Sequence, residues 1–255
     1  MTPRSRKATI GAAFGRAAPL YDRDAIVQRQ AAQALAARIA GLALPPAPLL
    51  LEIGCGTGLL TRALQHALPD AQGLITDLSP AMVESCRAQR PGRHLYCAMD
   101  GEAPCVVGPH FDLICASLAF QWFDDPMRSL PALHALLRPG GWLAFATLGP
   151  ASLAAWRDAH VAEGLTPPTQ DFPDPAALAE AWPGRSDRRI ERLAVAVAHS
   201  GGRAFLAGLR AIGAHTPRLN HTRLHPGQLR RVLARFERDH AATAQYEVAL
   251  LCLRQ

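Results

Sequence analysis

The segment LLLEIGCGTG, residues 49–58, constrains this chain more than any other. A short, mostly apolar run leads straight into Gly54, Gly56 and Gly58. Such a run suits a strand buried on both faces. Glycines directly after it permit positive φ and let backbone N–H groups come close to a ligand. The next stretch, LLTRALQHAL, has helical spacing, so the loop opens a helix N-terminus. In open α/β folds, a turn between the first strand and its helix lies at the carboxyl edge of the sheet, where ligands bind. The spacing differs from a dinucleotide fingerprint, because position 59 is leucine and the third glycine comes one residue early. No G-K-[ST] follows, which excludes a phosphate-binding P-loop.

The same rhythm continues to about residue 150. Strands are predicted at 73–76, at 94–99, within 111–120 and at 140–148. Helices are predicted between them at 79–89 and, despite Pro131, at 126–137. Right-handed crossovers then imply a parallel sheet. Upstream, residues 25–42 read as a helix ended near Gly41, with PPAP at 45–48 as a rigid linker. Downstream, helices are expected at 152–164, 175–182, 202–215 and 226–242, with strands at 189–199 and 245–253. The expected organisation is an N-terminal helical lid over 1–48, a core over 49–150, a small cap insertion over 151–190 and a closing part over 190–255. Together these make a Rossmann-like α/β fold with a mostly parallel seven-stranded sheet and helices on both faces.

Two later carboxylates narrow the ligand. Asp77 follows the second strand, about 20 residues beyond the loop, where an acidic side chain can bind a ribose diol through its two acceptor oxygens. Leu78 and Met82 come next, where an adenine face can pack; for Met82 a core position is the alternative. Asp100 ends the third strand, with a turn-forming Asp-Gly as its plain alternative. The pattern E-x-G-x-G-x-G at Glu52, Gly54, Gly56 and Gly58 resembles motif I of class I methyltransferases. That resemblance implies S-adenosylmethionine as cofactor, with the loop against its amino-acid and ribose parts. It also implies that Asp100 accepts from the adenine N6 amine while the Gly101 N–H donates to N1.

Composition removes other classes. Of 255 residues, 49% are hydrophobic, enough for a full core and unlike a disordered chain. No apolar run reaches the roughly 18 residues that span a bilayer, so no membrane partner is expected. Arg16 interrupts the small apolar residues after the basic start, so the N-terminus does not read as a signal peptide. Six cysteines lack any C-x-x-C, so neither a zinc site nor a thioredoxin-type motif is expected. Cys97 and Cys115 lie in apolar strand-like runs and are expected as buried free thiols, which fits a cytoplasmic protein. The net charge is +6, and Lys7 is the only lysine. From Arg185 to Arg238, twelve arginines face only Asp187, Glu191 and Glu237, a balance of 12 − 3 = +9. A surface of that sign attracts acidic partners.

The fourth strand leads into SLAFQWFDDP, which puts Ser117, Gln121 and Trp122 at the carboxyl edge, beside the group to be transferred. Tyr21 is the best lid contact in the N-terminal segment, and Trp122 has a core anchor as its alternative. AAFGRAAPLYD, IVQRQ, LEIGCGTG, TDLSPAM, SLAFQW, LRPGGWLAFATL and FLAGLRAIGAHTPR are together similar to the malonyl-[acyl-carrier protein] O-methyltransferases of biotin biosynthesis. The similarity covers nearly the whole chain and is weakest over 163–190. It implies methylation of the free carboxylate of a malonyl thioester on acyl-carrier protein or coenzyme A, leaving S-adenosylhomocysteine. It offers Arg16 and Arg210 as partners of that carboxylate, with surface or carrier-docking roles as alternatives. It also makes the arginine-rich stretch a docking face for the acidic carrier. A malonyl carboxylate is ionised at neutral pH, so no general base and no metal are expected. Rival acceptors are a small carboxylic acid such as trans-aconitate or a quinone precursor; a non-catalytic cofactor-binding module is a rival of another class. No N-P-P-Y or D-P-P-Y tetrad and no interleaving of aromatic and basic residues supports nucleic acid as substrate.

Overall fold

The computed structural model describes residues 3–89, 93–184, 187–216 and 222–255; Arg185 and Arg218 of the arginine-rich stretch lie outside the described residues. The strands are β1 (Leu49–Ile53), β2 (Gln72–Asp77), β3 (Leu95–Ala98), β4 (Phe111–Ser117), β5 (Leu137–Leu148), β6 (Arg188–Ala198) and β7 (Thr243–Arg254). They form one sheet in the order β3-β2-β1-β4-β5-β7-β6. Neighbouring strands are parallel from β3 through β5. β7 alone runs antiparallel, between β5 and β6. The reason lies in its connection. Ala198 at the end of β6 pairs with Thr243 at the start of β7. The intervening helices therefore return the chain to the edge it left, and the next strand has to run back.

The helices before the sheet are α1 (Pro3–Ala17), α2 (Tyr21–Asp24) and α3 (Ile26–Ala40). Those within and after it are α4 (Leu59–Ala67), α5 (Pro80–Gln89), α6 (Pro126–Leu136), α7 (Ala154–Val161), α8 (Pro175–Glu180), α9 (Gly202–Ala211) and α10 (Pro226–His240). Side-chain alternation along the strands builds two cores. Leu50, Ile75, Leu113, Cys115 and Ala144 bury against Leu35 and Ile39 of α3 and Leu60 and Leu64 of α4. Their neighbours Leu51, Ile114, Leu143 and Phe145 point the other way, against Leu130 and Leu133 of α6 and Leu178 and Trp182 near α8. A third cluster joins Trp156 of α7 to Phe205 of α9 and Phe236 of α10. The 151–190 stretch is thus divided between that helical cluster and the sheet face.

Two local expectations change. The N-terminal segment carries three helices rather than one from residue 25, and Pro19, which has no N–H to donate, lies in the break between α1 and α2. Cys97 is exposed, because β3 is an edge strand with little cover, whereas Cys115 is buried in a central strand.

Candidate active site

The glycine loop leaves β1 with Gly54, Gly56 and Gly58 at φ of 71°, 54° and 90°. That left-handed backbone is strained for any side chain. Open space lies beside Gly56, where an added Cβ would meet nothing within 4 Å. Asp77, half-buried at the end of β2, ties this loop to the next turn. Its Oδ2 accepts from the Gly56 N–H at 2.9 Å and its Oδ1 from the Ser79 N–H at 2.8 Å. Burial pushes the Asp77 carboxyl up from its ordinary range, and the two N–H bonds only partly restore it. Each oxygen keeps a second lone pair for a ligand hydroxyl.

At the end of β3, Gly101 packs directly on β1; a Cβ there would stand 2.1 Å from Ile53 Cγ2. Beside it, Asp100 Oδ2 and Glu102 Oε2 receive Lys7 Nζ of α1 at 2.6 and 2.7 Å. Burial raises the Glu102 carboxyl, but Lys7 and the N–H groups of Asp125 and Asp124 outweigh it and hold the carboxyl below its ordinary range. From Lys7 to Arg16, α1 runs along a groove of about 630 Å³ whose other wall is Leu78–Ala81. Leu78 therefore borders that groove. Met82 does not: it is fully buried within the core on the inner side of α5, which corrects the expectation of an adenine contact.

The third part lies beyond β4. Ser117 Oγ is buried without a hydrogen-bond partner. Leu118 takes φ of 52°, a conformation that costs a non-glycine residue about 1–2 kcal/mol. The short 3-10 turn Phe120–Trp122 follows. Gln121 Nε2 donates to the Leu118 carbonyl at 2.7 Å, while Gln121 Oε1 is buried and unpartnered. The half-buried Trp122 ring meets Phe14 of α1 edge-on, with centroids 5.2 Å apart. Phe14 also meets Tyr21, at 6.5 Å. Burial, and then the negative charges of Asp77 and Asp22, push the Tyr21 phenol far up, so it stays neutral. Thr57 Oγ1 in the glycine loop donates to Asp22 Oδ1, which fastens α2 to the loop. Arg6, only 3% exposed, anchors α1 through the Trp122 carbonyl, Asp124 and Gln170.

Arg16 and Arg210, 194 positions apart in sequence, stand in the last turns of α1 and α9. Both are exposed. His215 lies between their fields: burial, then the charges of Arg210 and Arg16, push its imidazole down. Glu52, also expected at the site, is buried. It is 1% exposed, accepts from Thr61 Oγ1 of α4 at 2.8 Å, and borders a cleft of about 230 Å³ with Leu64, Gln65 and His94. Burial, with Cys86, holds its carboxyl up to about 8 against the Thr61 bond. Sequence reasoning missed Lys7, Arg6, Phe14, Asp22 and His215. Phe14 was within reach, lying inside the AAFGRAA segment, but a basic start such as Arg6-Lys7 reads as a solvated tail.

The residues fit a sulfonium nucleoside. The open flank of Gly56, the spare lone pairs of Asp77 and the unpartnered oxygens of Ser117 and Gln121 all lie at the ends of β1, β2 and β4 or in the turns just after them, at one edge of the sheet. Comparison with known proteins agrees. Residues 51–143 match the methyltransferase domain family. The YcgJ protein of Bacillus subtilis shares the fold at a TM-score of 0.61 and 11% identity, over 87% of this chain and 97% of that one. The [4+2]-cyclase SpnF shares it at 0.52 and 18%, over 88% and 82%, so fold alone does not decide chemistry. Sheet order, glycine loop and domain match together define a Rossmann-like methyltransferase.

The chain belongs, more narrowly, to the malonyl-[acyl-carrier protein] O-methyltransferase family. It is 40% identical to the member from Magnetococcus marinus over 96% of this chain and 91% of that protein. With the Pseudescherichia vulneris member it shares 37%, over 89% and 88%. The biotin biosynthesis bifunctional protein of Bordetella avium is 45% identical over 94% of this chain, which spans about half, 51%, of that longer protein.

Proposed function

We propose that this chain transfers a methyl group from S-adenosylmethionine to the free carboxylate of a malonyl thioester on acyl-carrier protein, with malonyl-coenzyme A as a substitute carrier. The ester hides a charge, so that chain elongation toward the pimeloyl group of biotin can proceed in apolar enzyme pockets. What carries the reading is one juxtaposition in a member of this family: the open flank of Gly56, the Asp77 carboxylate and the unpartnered Ser117 and Gln121 oxygens, roofed by Tyr21, Phe14 and Trp122.

When bound, S-adenosylmethionine supplies a methyl group on a sulfonium, an electrophile that needs no activation. The open backbone flank of Gly56 would lie against its amino-acid end, Asp77 would hold its ribose diol and Asp100 with Gly101 its adenine edge, with Leu78 beside the ring. The acceptor oxygen has to come within about 3 Å of the methyl carbon, opposite the sulfur. A malonyl carboxylate is already ionised, so no side chain has to remove a proton. The protein's task is to position and to exclude water. Residues 1–48 act as the lid: Lys7 latches α1 to Asp100 and Glu102, and Asp22 latches α2 to Thr57. Tyr21, neutral and buried beside Phe14, is the lid contact over the cofactor. Arg16 and Arg210 draw the anionic substrate in; a closer grip on the reacting carboxylate would stabilise the ground state more than the transition state.

For carrier docking the arginine-rich stretch is uneven. Arg192 is paired with Asp174 and Glu247, and Arg231 and Arg235 share Glu163. Arg203, Arg223 and Arg230 are exposed, and among the described residues none of them has a carboxylate partner; these are the arginines offered to an acidic carrier. We place the reaction in the cytoplasm, where six free cysteines stay reduced.

The test is methyl transfer by purified protein from labelled S-adenosylmethionine to malonyl-carrier, malonyl-coenzyme A and trans-aconitate, with complementation of a biotin-requiring strain lacking this step. Transfer to a malonyl thioester with rescue is expected. Transfer to aconitate alone, or no transfer with intact cofactor binding, overturns the proposal.

A further inference from the structure

The helix ends that carry Arg16 and Arg210 are locked together, with His215 in the turn just beyond α9. The turn after α9 closes through the Gly213 N–H to the Arg210 carbonyl at 3.0 Å and the Ala214 N–H to the Leu209 carbonyl at 2.9 Å. It then presses on α1 so closely that a Cβ on Gly213 would stand 2.9 Å from Phe14 Cα and 3.1 Å from the Ala13 carbonyl oxygen. Ile212 buries beside this turn in the same core as Ala17, Tyr21 and Leu118. The helix ends that bear the two guanidinium groups are thereby held against each other.

The charges there are unbalanced. Among the described residues no carboxylate pairs with Arg16 or Arg210, whereas Arg38, Arg138, Arg189, Arg192, Arg231 and Arg235 each have at least one. Like charges held together repel, and a bound anion relieves that repulsion. The His215 imidazole is lowered first by burial and then by the charges of Arg210 and Arg16.

Two anions of the substrate compete for this place, and chemistry separates them. The reacting carboxylate loses its charge during transfer and belongs in the dry space near Ser117, Gln121 and Tyr21. A phosphodiester keeps its charge throughout, tolerates water and suits the bidentate fork of arginine. It sits at the far end of the pantetheine arm from the malonyl group. The arginine pair is exposed, and Phe14, whose ring meets Trp122, lies two residues before Arg16. We propose that Arg16, Arg210 and His215 form a seat for the phosphate of the 4′-phosphopantetheine arm, setting how deep the malonyl group reaches. The proposal rests on the malonyl-thioester reading above.

The experiment compares kcat/KM for malonyl-phosphopantetheine and malonyl-pantetheine, which differ only in that phosphate. In the native enzyme the phosphorylated substrate should be favoured roughly 10- to 100-fold, mainly through KM, as charge-assisted bonds allow. In the Arg16→Gln/Arg210→Gln variant that ratio should fall toward one, and Arg16→Lys/Arg210→Lys should restore part of it. Unchanged S-adenosylhomocysteine affinity checks that the variants are folded. A native ratio near one, or a ratio that survives the double substitution because both substrates weaken equally, overturns the phosphate seat and returns the pair to the carboxylate. If the native enzyme methylates no malonyl thioester at all, it is the underlying reading that fails.

Discussion

Replacing Glu52 by glutamine should stabilise this protein, and by an amount that grows with pH. The carboxyl is held neutral by burial, at about 8 in the folded chain against 4.5 when unperturbed. In the unfolded chain it ionises from about pH 4.5 upward, which favours unfolding by about 1.4 kcal/mol for each pH step. The stabilisation from the neutral carboxyl is fully present below pH 4.5, falls as the pH rises, and is gone once the folded-state carboxyl itself ionises near pH 8. At pH 7 the native residue thus carries a penalty of about 3 kcal/mol relative to a neutral isostere. Glutamine keeps an oxygen for the Thr61 hydroxyl at 2.8 Å and never ionises. Urea unfolding of both proteins at pH 5, 7 and 8.5 measures the difference, and groups that titrate alike in both cancel. The gap should widen by several kcal/mol between pH 5 and 8.5, with S-adenosylhomocysteine affinity little changed. Parallel stability curves would refute the burial argument, and a large loss of affinity would place Glu52 at the ligand edge.

Asp77→Ala removes both the proposed diol acceptor and the caps on the Gly56 and Ser79 N–H groups. Calorimetry should show S-adenosylhomocysteine affinity falling at least about tenfold, with about 1–3 kcal/mol of stability lost as well; native affinity in a folded variant would contradict the ribose placement. Gly101→Ala drives a Cβ to 2.1 Å from Ile53 Cγ2, so thermal unfolding should show about 1–3 kcal/mol of destabilisation, and an unshifted midpoint would mean that the turn moves freely off β1. If Arg203, Arg223 and Arg230 steer an acidic carrier, KM for malonyl-carrier should rise with added salt more steeply than KM for malonyl-pantetheine; equal salt responses would remove the docking face.

Much of the site was legible locally. Positive φ at Gly54, Gly56 and Gly58 follows from a strand that must turn sharply into a helix, and only glycine does so without strain. Asp77 and Asp100 were readable because each closes a short apolar run, and the strand–helix rhythm alone implied a parallel core. Other outcomes needed the packed molecule. The antiparallel course of β7 depends on where α9 and α10 return the chain. The exposure of Cys97 depends on β3 being an edge, and the inward turn of Glu52 and Met82 on which faces α4 and α5 cover. The ends of α1 and α9, with Arg16 and Arg210 in their last turns, came together through the contact of Gly213 with Phe14. Backbone conformation and side-chain alternation act over a few residues, so the sequence by itself determined the loop, the strands and their carboxylates. Contacts between distant segments depend on which surfaces exclude water together, and only the tertiary structure decided those.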